Sequence, residues 1–173
     1  MTLLHNQTLS LRALEPTDLD WLYDLENDTA LWLPTNTPAP FSRQILYDYL
    51  QQYTGDIYAT RQLRLAIEIT ADHTPVGTVD LFDLDPLNNR AEAGLYISPE
   101  HRGKGYGQAA IQLLCEYAER HLGLAQVYAF IATGNAACLA AFEACGFTRA
   151  GVLRHWIVRG PDRYDAAVVQ RVF

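Results

Sequence analysis

Lysine is nearly missing from this chain: Lys104 stands alone among thirteen cationic side chains, and the net charge is −7. Arginines scattered through an acidic sequence cannot neutralise a row of phosphates, which argues against a broad nucleic-acid-binding face. No apolar run approaches the ~20 residues needed to cross a bilayer, and the opening MTLLHNQTLS has no basic segment followed by an apolar one. A soluble, cytoplasmic protein without membrane contact is the expectation. Cysteine is sparse as well. Cys115, Cys138 and Cys145 form no CxxC pair and share no ligand-type spacing with the five histidines, so neither a metal site nor a disulfide framework is expected.

What remains is enough for a core. At 173 residues, 49% of them hydrophobic, one domain spanning 1–173 is expected, with no repeat, linker or low-complexity tract. Residues 8–14 read as an opening strand. Glu15-Pro16-Thr17-Asp18 then supplies helix-start chemistry for a helix near 17–27. Prolines at 34, 38 and 40 exclude helix or central strand and predict a loop ahead of a helix capped by Ser42. Leu63, Leu65, Ile67 and Ile69 alternate with polar or small residues, the period of a strand. Turn clusters then separate this strand from 76–84 and 91–98, an antiparallel meander. Helical spacing over 104–121 ends at Gly123. A strand at 125–132, a short helix at 135–145 and strands near 147–155 and 164–172 complete an α+β architecture. It is a mixed, mostly antiparallel sheet of six to seven strands with helices on both faces.

The chemistry concentrates where the third meander strand meets the long helix, at Ile97-Ser98-Pro99-Glu100-His101-Arg102-Gly103-Lys104-Gly105-Tyr106-Gly107. Alternating glycines allow backbone to approach a ligand closely or take positive φ. The free amides at a helix start, with the helix dipole behind them, bind phosphate oxygens. Arg102 and Lys104 add positive charge. A dinucleotide fold wants G-x-G-x-x-G, but position 108 is Gln, and the Walker pattern is absent.

This Arg102–Gly107 segment resembles the pyrophosphate loop of the GNAT acetyltransferases, R/Q-x-x-G-x-G/A. The run from Asn135 through Phe142-Glu143 to Gly146-Phe147 is similar to that family's N-x-x-A/S-x-x-x-Y/F-E-x-x-G-F segment. The opening L-R-A-L-E-P-T-D-L-D and the Arg90-Ala91-Glu92 strand resemble the branch of ribosomal-protein N-terminal and spermidine N-acetyltransferases. The resemblance implies acetyl-CoA as donor. It also implies that amides of Arg102, Gly103, Lys104, Gly105, Tyr106 and Gly107 hold the pyrophosphate, and that backbone of Leu95, Tyr96 and Ile97 pairs with the pantetheine where the strand splays. Asn135 and Phe142 would flank the sulfur end of the cofactor.

Acetyl transfer to an amine needs a base, an oxyanion donor and a route for thiolate to leave. Glu92 is the first candidate base and Glu68 the second, on the acceptor side; the alternative for Glu92 is an ion pair with Arg90. A backbone N–H near Leu95 or Tyr96 would receive the oxyanion. Many family members carry a tyrosine at position 142, thought to protonate the leaving thiolate. Here Phe142 has no hydroxyl, and Cys138, at i−4, is a weak substitute donor or a small core residue. Trp32 and Phe41 border the acceptor side by resemblance. The acceptor is thus a small amine, a polyamine or a protein N-terminus, and the rival reading is a non-catalytic acyl-CoA-binding module. Dimers are common in the branch, so a homodimer is compatible with the resemblance.

Overall fold

The computed structural model describes residues 3–29, 31, 37–53 and 55–173. They divide into two compact units, Leu14–Gly55 and a larger one joining the segment up to Ala13 with Asp56–Phe173.

The larger unit is built on a seven-stranded sheet of β1 (Leu9–Ala13), β2 (Leu63–Ile69), β3 (Pro75–Asp85), β4 (Arg90–Ile97), β5 (Gln126–Ala132), β6 (Thr148–Arg159) and β7 (Asp162–Val172). Their spatial order is β1-β2-β3-β4-β5-β7-β6. Short turns make successive strands antiparallel, as the alternating patterns predict. Only β4 and β5, joined by a long helical crossover, run parallel. Among the described residues there are three helices in this unit: a single turn α3 (Ile57–Thr60), α4 (Tyr106–Arg120) and α5 (Ala136–Ala144).

The core lies against one face of the sheet. α4 turns Ala110, Ile111, Leu114 and Ala118 inward, all 0% exposed, onto the inward-facing positions of β3, β4 and β5. Each fully buried leucine or isoleucine of this kind contributes roughly 1.5–3 kcal/mol, so the stripe fixes the helix firmly over the strands. Ala91 and Ala93 on β4 are buried in the same core, with Leu95 and Ile97 packed against it. Strand alternation therefore sends Glu92, Gly94 and Tyr96 to the opposite face.

Two features differ from the sequence expectation. α3 is too short to show a period; Asp56 caps it by accepting from the amides of Tyr58 and Ala59, and Arg61 at φ 55° ends it. The last hairpin also runs longer than expected, to Arg159 and back from Asp162. A bulge at His155 (φ 54°) restarts pairing beyond the expected strand end, and Gly160 (φ 57°) makes the turn.

The smaller unit holds α1 (Leu19–Glu26) and α2 (Arg43–Gln52), so with the three above the described residues contain five helices. Pro16–Asp18 is a 3-10 turn, with Glu15 and Asp18 capping each other reciprocally. Ser42 caps α2 through the Ile45 amide, as expected. Asn27 holds both ends of the Phe41 peptide unit, accepting from its amide at 2.9 Å and donating to its carbonyl at 3.1 Å.

Candidate active site

The sheet opens in its middle. β4 and β5 pair at three positions only, Arg90 with Gln126, Ala91 with Val127 and Glu92 with Tyr128, and then part. β5 is held to β7 along its whole length, and β4 to β3 as far as Ile97. The two strands are thus kept open by their outer partners. The Ser98 amide donates to Val76 on β3 at 2.9 Å. By the alternation of an antiparallel ladder, the polar groups of Tyr96 and Gly94 also face β3, whereas those of Leu95 and Ile97 face the split. Arg102 Nε takes the Ile97 carbonyl at 2.8 Å, leaving the Leu95 amide and carbonyl as an edge for an extended ligand. Of the two amides, that of Leu95 faces the split and that of Tyr96 faces β3.

The glycine loop sits at the wide end of the split. Gly103 and Gly105 adopt φ of 73° and 81°, where a side chain would be strained. Gly105 is the N-cap of α4 and offers no side-chain cap. Ala109 is the first helix residue bonded back, to the Gly105 carbonyl at 3.1 Å, so the preceding amides of the first turn are donors without a helical acceptor. A Cβ on Gly107 would lie 3.1 Å from the Leu95 side chain, so glycine here lets the helix start close against β4. Strand edge, amide cradle and positive φ together fit a nucleotide pyrophosphate followed by an extended amide-bearing arm.

Glu92 stands at the apex. Burial, most of all, and then the charge of Asp83 push its carboxyl up to about 7, while the Phe130 backbone amide pulls the other way. Phe130 is the first β5 residue past the last pairs whose amide faces the split, and the Glu92 carboxylate lies toward it. Arg90 pairs with Asp85 at 3.3 Å, not with Glu92. Asp83 (φ 49°) lies in the β3 bulge just after Phe82, the partner of Glu92, and was not singled out by sequence; a bulge leaves no trace in an alternating pattern. Tyr128, whose phenol is pushed up by burial and by Glu92, was likewise legible only as a strand residue.

The other expected residues separate clearly. Asn135 caps α5, accepting from the Cys138 amide at 3.2 Å. Phe142 is 1% exposed and meets Phe147 edge-to-face at 4.9 Å, a core packing role. Cys138 is half-buried, and burial pushes its thiol up to about 11. Glu68 is buried, with one oxygen on Arg12 and the other on His73 at 2.8 Å. Burial alone would raise its carboxyl; the two partners outweigh this and hold it below the usual range. Phe41 belongs to the smaller unit, and Trp32 lies outside the described residues. Among the described residues no helix is long and apolar enough to cross a membrane.

Comparison with known proteins agrees with this geometry. Residues 8–148 match the acetyltransferase (GNAT) domain family. The chain is 30% identical to the spermidine N(1)-acetyltransferase of Vibrio cholerae over 152 residues, covering 86% of this chain and 83% of that protein. It is 31% identical to the putative ribosomal N-acetyltransferase YdaF of Bacillus subtilis, covering 86% and 82%. The crystal structure of the Vibrio cholerae spermidine N-acetyltransferase in complex with CoA and spermine superposes with a TM-score of 0.84 at 26% identity, covering 96% of each chain. With a split sheet, a glycine cradle and these relatives, the chain belongs to the GNAT acetyltransferases and is an acetyl-CoA-dependent N-acetyltransferase.

Proposed function

We propose that the chain transfers acetyl directly to a bound primary amine, in a ternary complex, with Glu92 as the base. The observation that carries this reading is the position of Glu92 at the apex of the split, with its carboxyl pushed up to about 7. A base is most effective when its pKa lies near the working pH. A free primary amine, with pKa ~10, is mostly an ammonium at neutral pH and must lose a proton before it can attack. Glu92 and Asp83 first attract the ammonium, and Glu92 then accepts its proton directly or through water.

Acetyl-CoA supplies the activated thioester. Amides from Gly103 to Gly107 would hold its pyrophosphate and the Leu95 edge its pantetheine arm, with the Leu95 amide directed at the carbonyl oxygen. Cys138 is a poor proton source for a thiolate: with its own thiol near 11 against ~8.5 for an ordinary thiol, transfer runs uphill. A CoA thiolate leaves without that help.

The acceptor in this reading is a small amine, a polyamine or a protein N-terminus, and the chain acts as one domain over 1–173, in the cytoplasm and in a form compatible with a homodimer. Relatives named spermidine N(1)-acetyltransferase and putative ribosomal N-acetyltransferase support an amine acceptor. The absence of a hydroxyl on Phe142 favours one rival, a non-catalytic acyl-CoA-binding module. Thiol release from acetyl-CoA across a panel of primary amines decides between them. Amine-dependent release supports transfer; tight CoA binding with no release on any amine supports the module.

A further inference from the structure

A row of aromatic rings leads away from Glu92 on the face of the sheet turned from the core. Tyr128 and Phe130, two apart on β5, meet edge-on at 5.6 Å, and Phe130 meets Trp156 of β6 at 5.7 Å with a tilt of 35°. The inner end is half-buried beside Glu92, while Trp156 is 57% exposed. A large indole left this open, and continuous with two further rings, is an apolar lane that begins at the proposed base.

Charge decides what the lane accepts. Glu92 and Asp83 make its inner end acidic, which suits an ammonium head. On the hairpin that carries its outer end, Arg159 lies over the ring of Tyr164, on the face of Phe130, at 5.5 Å, whereas Arg171 is turned to the other face, where it donates to the Cys145 carbonyl. A second cation beyond the reacting amine would meet like charge there, whereas a flat apolar group would cover Phe130 and Trp156. Resting on the transfer reading above, we infer that the preferred acceptor is a primary amine joined by a short linker to an aromatic or similarly flat apolar group, with its amine at Glu92 and its ring on Phe130 and Trp156.

The test is calorimetric binding to the protein saturated with CoA, with phenethylamine, butylamine and spermidine as probes, for the wild type and Trp156→Ala. Phenethylamine is expected to bind at least roughly tenfold more tightly than butylamine, the scale of one added ring contact. Trp156→Ala is expected to remove most of that difference while leaving butylamine binding and the acetyl-CoA thermal shift unchanged. Equal binding of phenethylamine and butylamine overturns the inference, as does an equal effect of the variant on both. Spermidine binding most tightly and unaffected by the variant overturns it too. A short peptide beginning with phenylalanine distinguishes the sources of such an amine: tighter binding than phenethylamine assigns polypeptide N-termini, weaker binding a small arylalkylamine. Because binding is read without turnover, the selectivity pattern in a protein that transfers no acetyl would sink the transfer proposal and leave the lane standing.

Discussion

Glu92 and Tyr128 are the last residues to pair β4 with β5, and burial raises the carboxyl at that point well above its usual range. The same parting of strands that opens the proposed backbone edge for the donor therefore also sets the proposed base at its narrow end. Several consequences can be measured.

Gly77→Ala should loosen the whole arrangement. A Cβ at this position would lie 2.0 Å from the Tyr96 carbonyl oxygen, a backbone atom that can move only with β4. A loss of roughly 2–4 kcal/mol is expected from such overpacking. Urea unfolding checks it, and acetyl-CoA affinity should fall with it because β4 carries the proposed donor edge.

The pH dependence of stability should carry the mark of Glu92. Its folded carboxyl sits at about 7, above the ordinary 4.5, so folding favours the protonated form. Below the unfolded value the group is neutral in both states and costs nothing. As pH rises through 4.5 to 7 the unfolded chain ionises first, and stability falls. Glu92→Gln should therefore stabilise the protein by on the order of 1–3 kcal/mol at pH 8, after allowance for solvent screening, and by little at pH 4.5. Thermal unfolding at both pH values measures the difference.

Glu68 should behave with the opposite sign. Arg12 and His73 hold its carboxyl below the usual range despite burial, so its contribution is present above the unfolded value and is lost as pH falls through the folded one. Glu68→Gln is expected to cost about 1–3 kcal/mol at pH 7, from loss of the buried carboxylate's bonds to Arg12 and His73. The difference from wild type should vanish on acidification. Transfer rates should change far less than stability.

Cys138→Ala should leave the rate within a few-fold of wild type. A thiol that burial holds near 11 stays protonated and gives up its proton reluctantly. Steady-state kinetics at saturating acetyl-CoA checks this; a loss of the ~10²-fold typical of a general acid would restore Cys138 to the chemistry.

Where the sequence carried a period, the fold was legible. The long helix read as 104–121 is Tyr106–Arg120, and the strand read as 63–70 is Leu63–Ile69. Both rest on many residues that repeat one spacing. The glycine loop was legible because positive φ and close approach exclude other residues, as Gly103, Gly105 and Gly107 show. Events involving two distant segments were not. Nothing in the local pattern of β3 announces the bulge that brings the charge of Asp83 to Glu92, nor does the pattern of β5 show that its rings lie in line with Trp156. Glu68 stood second to Glu92 as a candidate base in the sequence. Only the fold shows that its oxygens are occupied by Arg12, from the first strand, and by His73.

The most direct test of Glu92 is the pH profile of kcat/KM for one amine acceptor, for wild type and Glu92→Gln, with acetyl-CoA binding followed in parallel by thermal shift. The wild-type rate should rise through a pKa of about 7. The variant should lose that limb and roughly 10²–10³-fold in rate while keeping the acetyl-CoA shift. A variant that retains both the rate and the limb would show that another group takes the proton.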